Sequence, residues 1–184
     1  MGLPSQPGQE ATYSCRAHPP ALIARVMPPP AVTAVIVNFN SGEHVIRCLG
    51  CLAAQSLLPE RIVLVDNASS DGSLAACRRF VASDPRLTDR TWIEPLSANV
   101  GFATGSNRGI ALAETEFVAL LNPDAFPEPG WLEALLTAAG SHPYCAAFGS
   151  LQMLVGSPGV LDGIGDRWHV SGLAWREGHG RRLQ

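Results

Sequence analysis

The strongest constraint in this sequence is an alternation of short apolar runs with segments whose apolar residues recur at helical spacing. Val32-Thr33-Ala34-Val35-Ile36-Val37 is a nearly continuous apolar run of the kind found in strands buried on both faces. Asn40, with Glu43 three residues later, predicts a helix N-cap, and Val45, Ile46, Leu49, Leu52 and Ala53 then follow at helical spacing to an end near Gln55. The pattern repeats with a strand over Ile62 to Val65, a helix over Leu74 to Ala82, a strand over Thr91 to Glu94, a helix over Thr104 to Ala113 and a strand over Phe117 to Leu121. Pro129 and Gly140 bracket a further helix over Trp131 to Ala139, ahead of a strand expected at Cys145 to Leu151. Strands separated by helices imply right-handed βαβ crossovers, so the chain is expected to be an α/β protein with a mainly parallel sheet flanked by helices.

Outside this alternation the chain changes character. Residues 1–31 contain seven prolines and little periodicity, a composition that cannot bury enough surface to offset ordering its backbone, and a disordered leader is expected there. Met27 directly precedes Pro28-Pro29-Pro30 and the first strand, so a start at Met27 fits the same boundary. Residues 32–151 form the expected ligand-binding domain. In residues 152–184 glycines interrupt every pattern, and loops with short strands are expected.

Charge and cysteine usage remove several classes of function. Thirteen basic against sixteen acidic side chains give a net charge of −3, which provides no field to draw the chain to nucleic acid. Every basic residue is arginine, which excludes a Schiff-base lysine and a Walker-type phosphate lysine. Cys15, Cys48, Cys51, Cys77 and Cys145 are odd in number and irregularly spaced, and reduced thiols in the cytoplasm are expected. Cys48 and Cys51 form a C-x-x-C inside the first predicted helix, away from the N-terminal amides that would activate a thiol, and read as ordinary helix residues. No apolar run reaches the ~20 residues that span a bilayer, so any membrane attachment, for instance at its inner face, is expected to be peripheral.

Ligands of open parallel sheets bind beyond the carboxyl ends of the strands. That rule selects Asn38 to Ser41, Asp66 to Gly72 and Asn122 to Ala125, each richer in polar side chains than a structural turn requires. Asp66 ends an apolar strand, where a carboxylate could accept the imide N–H of uracil or thymine. Cytosine would leave it unpaired, at a cost of at least ~1–3 kcal/mol. Asp71, or Ser70, fits equally the cap of the next helix. Asn122-Pro123-Asp124 reads as an ordinary turn in isolation. A diphosphate, however, supplies most of the oxygens a magnesium or manganese ion needs, so one carboxylate such as Asp124 suffices to complete a shared site. Gly101, Gly105 and Gly109 do not match the G-x-G-x-x-G dinucleotide fingerprint and instead suit close helix packing, while Asn99, Asn107 and Arg108 add donors that could face a nucleotide.

Taken together, V-I-V-N-F-N at 35–40, V-L-V-D-N-A-S-S-D-G-S at 63–73, N-V-G-F-A-T-G-S-N-R-G-I at 99–110 and L-L-N-P-D-A at 120–125 resemble glycosyltransferase family 2, and within it the rhamnosyltransferase-like bacterial branch. The resemblance implies a GT-A fold, an inverting reaction, and a UDP- or dTDP-sugar donor whose sugar passes to a glycan or lipid-linked acceptor. By that similarity Asp66 reads the base imide, Asn122 stands near the ribose and Asp124 at the metal-binding position. Asn38, Asn40, Ser70, Asp71, Asn99, Gly101, Asn107 and Arg108 complete the expected nucleotide site. Ala125 replaces a frequent further Asp, which makes the cation site lean.

The family's general base normally lies roughly ninety to a hundred residues beyond the metal-binding Asp, and the sequence given extends sixty beyond Asp124. Asp162, Asp166 and Glu177 are the remaining acids, in contexts unlike that motif, and read as solvated loop acids. Loss of a positioned base costs roughly 10²–10⁴-fold in rate. A chain lacking the acceptor-side region is expected to expose apolar surface, with Trp168 and Trp175 among it, and to associate with itself or with a partner chain. The competing reading is a non-catalytic nucleotide-binding module, or a subunit completed by another chain. A nucleotidyltransferase on a related sheet would need a glycine-rich segment with a basic residue after the first strand, which Asn38-Phe39-Asn40-Ser41 does not provide.

Overall fold

The computed structural model describes residues 31–171 and 173–183; the expected leader, with Met27 and Cys15, and the side chain of Trp168 lie outside the described residues. Four parallel strands form the sheet: β1 (Val32–Asn38), β2 (Arg61–Asp66), β3 (Thr91–Pro95) and β4 (Phe117–Leu121), in the order β3-β2-β1-β4. All seven residues of β1 are buried, as its unbroken apolar run requires of a central strand covered on both faces. Register pairs Ile36 with Leu64 and Leu121, and Asn38 with Asp66, so the strands end together along one rim.

Alternate residues of each strand serve opposite faces. Ala34, Ile36, Ile62 and Leu64 pack against α1 (His44–Ala53) and α2 (Ser73–Ser83) through Val45, Cys48, Leu49, Leu52, Cys77 and Val81. A short α3 (Pro85–Thr88) contributes Leu87 to the same core. On that side too, α5 (Trp131–Ser141) covers Val32 and Ala119 with Leu132 and Leu136. Gln55, only 6% exposed, joins α1 to α5: its amide nitrogen donates to the Cys51 and Glu128 carbonyls and its oxygen accepts from the Leu132 amide.

The opposite face, bearing Val35, Val37, Val63 and Val65, is covered by α4 (Phe102–Ala111). A Cβ built on Gly105 would come within 2.9 Å of a Val37 methyl, and one on Gly109 within 2.3 Å of a Val35 methyl. Bare glycine backbone therefore lies directly on β1, as the four-residue spacing of the glycines predicts. One helix cannot cover four strands: on one flank Trp92 is 55% exposed, and on the other, along the outer edge of β4, Val118 and Leu120 are 37% and 52% exposed.

Two local expectations are corrected. Asn40 is not the cap of α1; Glu43 holds that position without a side-chain cap bond, because Asn40 adopts φ +50° and turns its side chain to the neighbouring loop. No strand forms over Cys145 to Leu151. That backbone finds no partner strand among the described residues, and Ser150 is drawn to α5 by the Trp131 indole N–H at 2.7 Å. Beyond it come two small antiparallel pairs, β5 (Gln152–Met153) with β6 (Leu161–Gly163) and β7 (Asp166–Trp168) with β8 (Ala174–Arg176).

Candidate active site

At the carboxyl rim the β1–α1 and β2–α2 loops are bound to one another. Asn38, fully buried at the end of β1, directs its amide nitrogen to Asp66 Oδ1 at 2.7 Å, Ser73 Oγ at 2.9 Å and Ser69 Oγ at 3.1 Å. The other Asp66 oxygen accepts from the Ser69 amide at 3.1 Å. Asn40 accepts from the Ser70 amide at 2.8 Å and donates its own amide to Ser69 Oγ. Asp71 joins the same two loops, accepting from the Gly42 and Ser73 amides at 2.9 Å. These bonds to Ser73 and Gly42 hold the Asp71 carboxyl below its ordinary pKa. Ala68 takes φ +62°, a conformation a non-glycine residue adopts only where its surroundings over-determine it.

A second clasp links β2 to the β3–α4 loop. The Asn67 amide nitrogen donates to Asn99 Oδ1 at 2.8 Å, and Asn67 Oδ1 accepts from the Val100 amide at 2.9 Å. Asn99 Oδ1 also accepts from the Gly101 amide at 2.9 Å. Both side-chain amides are thereby oriented: Asn67 keeps one carbonyl lone pair and Asn99 keeps its NH₂ group. Gly101 enters α4 with φ 82° and ψ 164°, a backbone state essentially confined to glycine.

The third wall is the turn after β4. The Ala125 amide closes it on the Asn122 carbonyl at 3.1 Å. Cys48, within α1, donates its thiol to the same carbonyl at 3.6 Å. Burial pushes the Cys48 thiol up to about 12 and raises that of Cys51, so the C-x-x-C holds protonated, unreactive thiols, consistent with ordinary helix residues. The side chain of Asp124 projects exposed from the turn.

These walls enclose an open cavity of about 430 Å³, lined by Val37, Phe39, Asn40, Ser41, His44, Asn67, Asn99, Gly101, Phe102, Asn122, Pro123 and Asp124. Of the residues expected from sequence, Asn40, Asn99, Gly101, Asn122 and Asp124 meet there. Asp66 and Asn38, 1% and 0% exposed, are not part of the lining, whereas the next residue, Asn67, contributes to it although only 2% exposed. Ser70 and Asp71 brace the loops from outside the lining. Asn107 is exposed on α4 away from the cavity, and Arg108 is paired with Glu94, its Nε at 2.9 Å, which holds the Glu94 carboxyl below its usual range. Phe39 and Phe102, 47% and 56% exposed, are aromatic walls that the sequence reading passed over; an aromatic placed directly after a buried strand or a glycine cap was the available signal.

The lining has one carboxylate, Asp124, and among the described residues no group of three or more histidine, cysteine or acidic side chains could hold a metal ion. A single hard oxygen donor facing an open cavity fits magnesium or manganese only when a ligand's phosphates supply the remaining oxygens. Of the later acids, Asp162 pairs with Arg176 and His179 and Glu177 with Arg167, while Asp166 lies exposed in β7.

The model of the Glycosyl transferase family 2 matches residues 33–158, a span that contains every wall of this cavity. The chain belongs to glycosyl transferase family 2. It is 35% identical over 129 residues to an N-acetylglucosaminyl-diphospho-decaprenol L-rhamnosyltransferase of Mycobacterium tuberculosis, covering 64% of this chain and 39% of that protein. It is 25% identical over 104 residues to glycosyltransferase GlyG of Streptococcus pneumoniae, covering 56% of this chain and 33% of the relative. The chain thus matches about a third to two fifths of the length of these relatives. Among solved structures it resembles a mannosyltransferase of Pyrobaculum calidifontis in complex with GDP-Man and Mn²⁺, with TM-score 0.56 and 24% identity over 69% of this chain and 36% of that one. It also resembles S. aureus TarS residues 1–349 in complex with UDP, with TM-score 0.55 and 20% identity over 69% of this chain and 40% of that one. These likenesses show the GT-A fold, and no helix of the described residues is long and apolar enough to cross a membrane.

Proposed function

We propose that this chain binds the nucleotide-sugar donor of an inverting family 2 glycosyltransferase, a UDP- or dTDP-sugar, in the cavity at the rim of its sheet. The observation that carries the reading is the convergence on one cavity of Asp124 and the Asn67–Asn99 clasp. A pyrimidine dione presents an imide N–H flanked by carbonyl oxygens. The free lone pair of Asn67 Oδ1 suits the N–H and the free NH₂ of Asn99 suits a carbonyl, while Phe39 and Phe102 offer faces for stacking. Cytosine, with an acceptor in place of the imide N–H, faces Asn67 lone pair to lone pair. Asp66 serves this reading from below, fixing Asn38 and the Ser69 amide and so the loop that carries Asn67.

Asp124 would hold a magnesium or manganese ion together with the donor's diphosphate, where such an ion would supply Lewis-acid stabilisation of the leaving nucleoside diphosphate. The relatives' names support a rhamnosyl or other hexosyl donor and a glycan or lipid-linked acceptor of cell-wall or polysaccharide synthesis. Calorimetry with UDP, dTDP, CDP and GDP, with and without manganese, tests the reading. UDP or dTDP is expected to bind more tightly with manganese, CDP to bind at least about fivefold more weakly, and Asp124→Ala to abolish the manganese effect. Manganese-independent binding, or CDP binding as well as UDP, refutes it.

A specific observation favours a second reading, in which this chain binds donor but does not transfer alone. Asp124 is the sole acid on the wall, and Asp162 and Glu177 beyond it are ion-paired with Arg176 and Arg167, so the lining offers no second carboxylate as general base. A second copy or a partner chain, seated on the open Val118–Leu120 edge, would then complete the enzyme. A transfer assay on the isolated chain separates the two, since turnover by the chain alone removes the second.

A further inference from the structure

The segment that carries Asp124 has no regular structure between β4 and α5, and its position is set by α1. Its ends are pinned by polar bonds: the Cys48 thiol reaches the Asn122 carbonyl, and the Gln55 amide reaches the Glu128 carbonyl at 2.8 Å. Between those points Ala125 touches the core with a single methyl, and the half-buried Phe126 packs against side chains of α1. The Arg47 guanidinium carbon lies 3.8 Å from the centre of the Phe126 ring, and the His44 ring lies 6.1 Å away, tilted by 32°. Two consecutive turns of α1 thus grip a side chain two residues beyond Asp124, and His44 itself lines the cavity beside it.

We infer that Arg47, acting through the Phe126 ring, is a positioning residue that holds the Asp124 turn where a cation bridges it to a nucleoside diphosphate. The inference rests on the cation role proposed for Asp124. Arg47 touches neither ligand nor metal; its effect passes along the backbone from Phe126 to Asp124. An exposed guanidinium over a phenyl ring shifts a local opening equilibrium on the order of two- to fivefold. The buried core does not depend on it.

Hydrogen exchange at the Ala125 amide, together with calorimetry of UDP with and without manganese, tests this in Arg47→Ala, Arg47→Lys and the unmodified chain. In Arg47→Ala, exchange at Ala125 is expected to quicken about two- to fivefold. Manganese-supported UDP affinity falls by a similar factor, and metal-free UDP affinity and melting temperature hold. Arg47→Lys, which keeps a cation over the ring, restores most of the loss. Unchanged exchange at Ala125, or an equal loss of affinity with and without manganese, overturns the inference. An unmodified chain whose UDP affinity ignores manganese overturns the role of Asp124 and this inference with it, a result distinct from one in which manganese matters and Arg47 does not.

Discussion

Asp66 and Asn67 are adjacent in sequence and both buried, but only the second lines the cavity. Asp66 ends β2 at 1% exposure, and Asn67, in the loop just beyond it, is 2% exposed, held by its bonds to Asn99 and Val100, yet contributes to the cavity lining where Asp66 does not. Substitutions at the two positions should therefore separate cleanly. Asp66→Asn removes the carboxylate that accepts from Asn38 and Ser69; its expected result is a lower melting temperature with UDP and CDP affinities falling together. Asn67→Ala spares the Asn38–Asp66 bond but opens the clasp to Asn99 and Val100, and is expected to bring the UDP and CDP affinities within a few-fold of each other, read by calorimetry. A fall in UDP affinity alone for Asp66→Asn would return base selection to the carboxylate. Asp71 gives a pH signature: its folded pKa is depressed, first by Ser73 and then by Gly42, so these ties contribute stability above the ordinary carboxylate range that is lost as pH falls through the lowered value. The chemical types at the rim were legible in sequence because strand ends are; which of two neighbours lines the cavity was not, because that depends on loop torsions such as φ +62° at Ala68.

The same contrast holds for whole elements. β1, β2 and β4 announce themselves as apolar runs, and the glycine spacing of α4 announces close packing. Gly109→Ala would drive a methyl into Val35, and a loss of about 1–3 kcal/mol is expected. Gly105→Ala, with its nearest contact at 2.9 Å, should cost less, and pairing Gly109→Ala with Val35→Ala should recover part of the stability in denaturant titration. Equal, negligible losses at both glycines would show that α4 stands further from the sheet. α3 escaped notice because four residues hold no period, and Cys145 to Leu151 misled because an apolar run becomes a strand only when a neighbouring strand offers its carbonyls and amides.

At the level of the molecule, the sheet is closed on the α1, α2 and α5 side and open beside α4. An edge strand with exposed apolar residues and unpaired backbone is a template for association. Sedimentation is expected to show concentration-dependent oligomers that Leu120→Glu suppresses, with UDP affinity retained; a monomer at all concentrations would show the edge to be inert. The thiol of Cys48 adds a built-in probe of another motion. Only a thiolate is alkylated, and this one is buried, with its pKa pushed up to about 12, while it donates to the Asn122 carbonyl. The exposed Cys145 would be labelled first, so slow labelling located at Cys48 rather than Cys51 or Cys77 by peptide mapping would time how often the first helix lets go of the Asn122 turn.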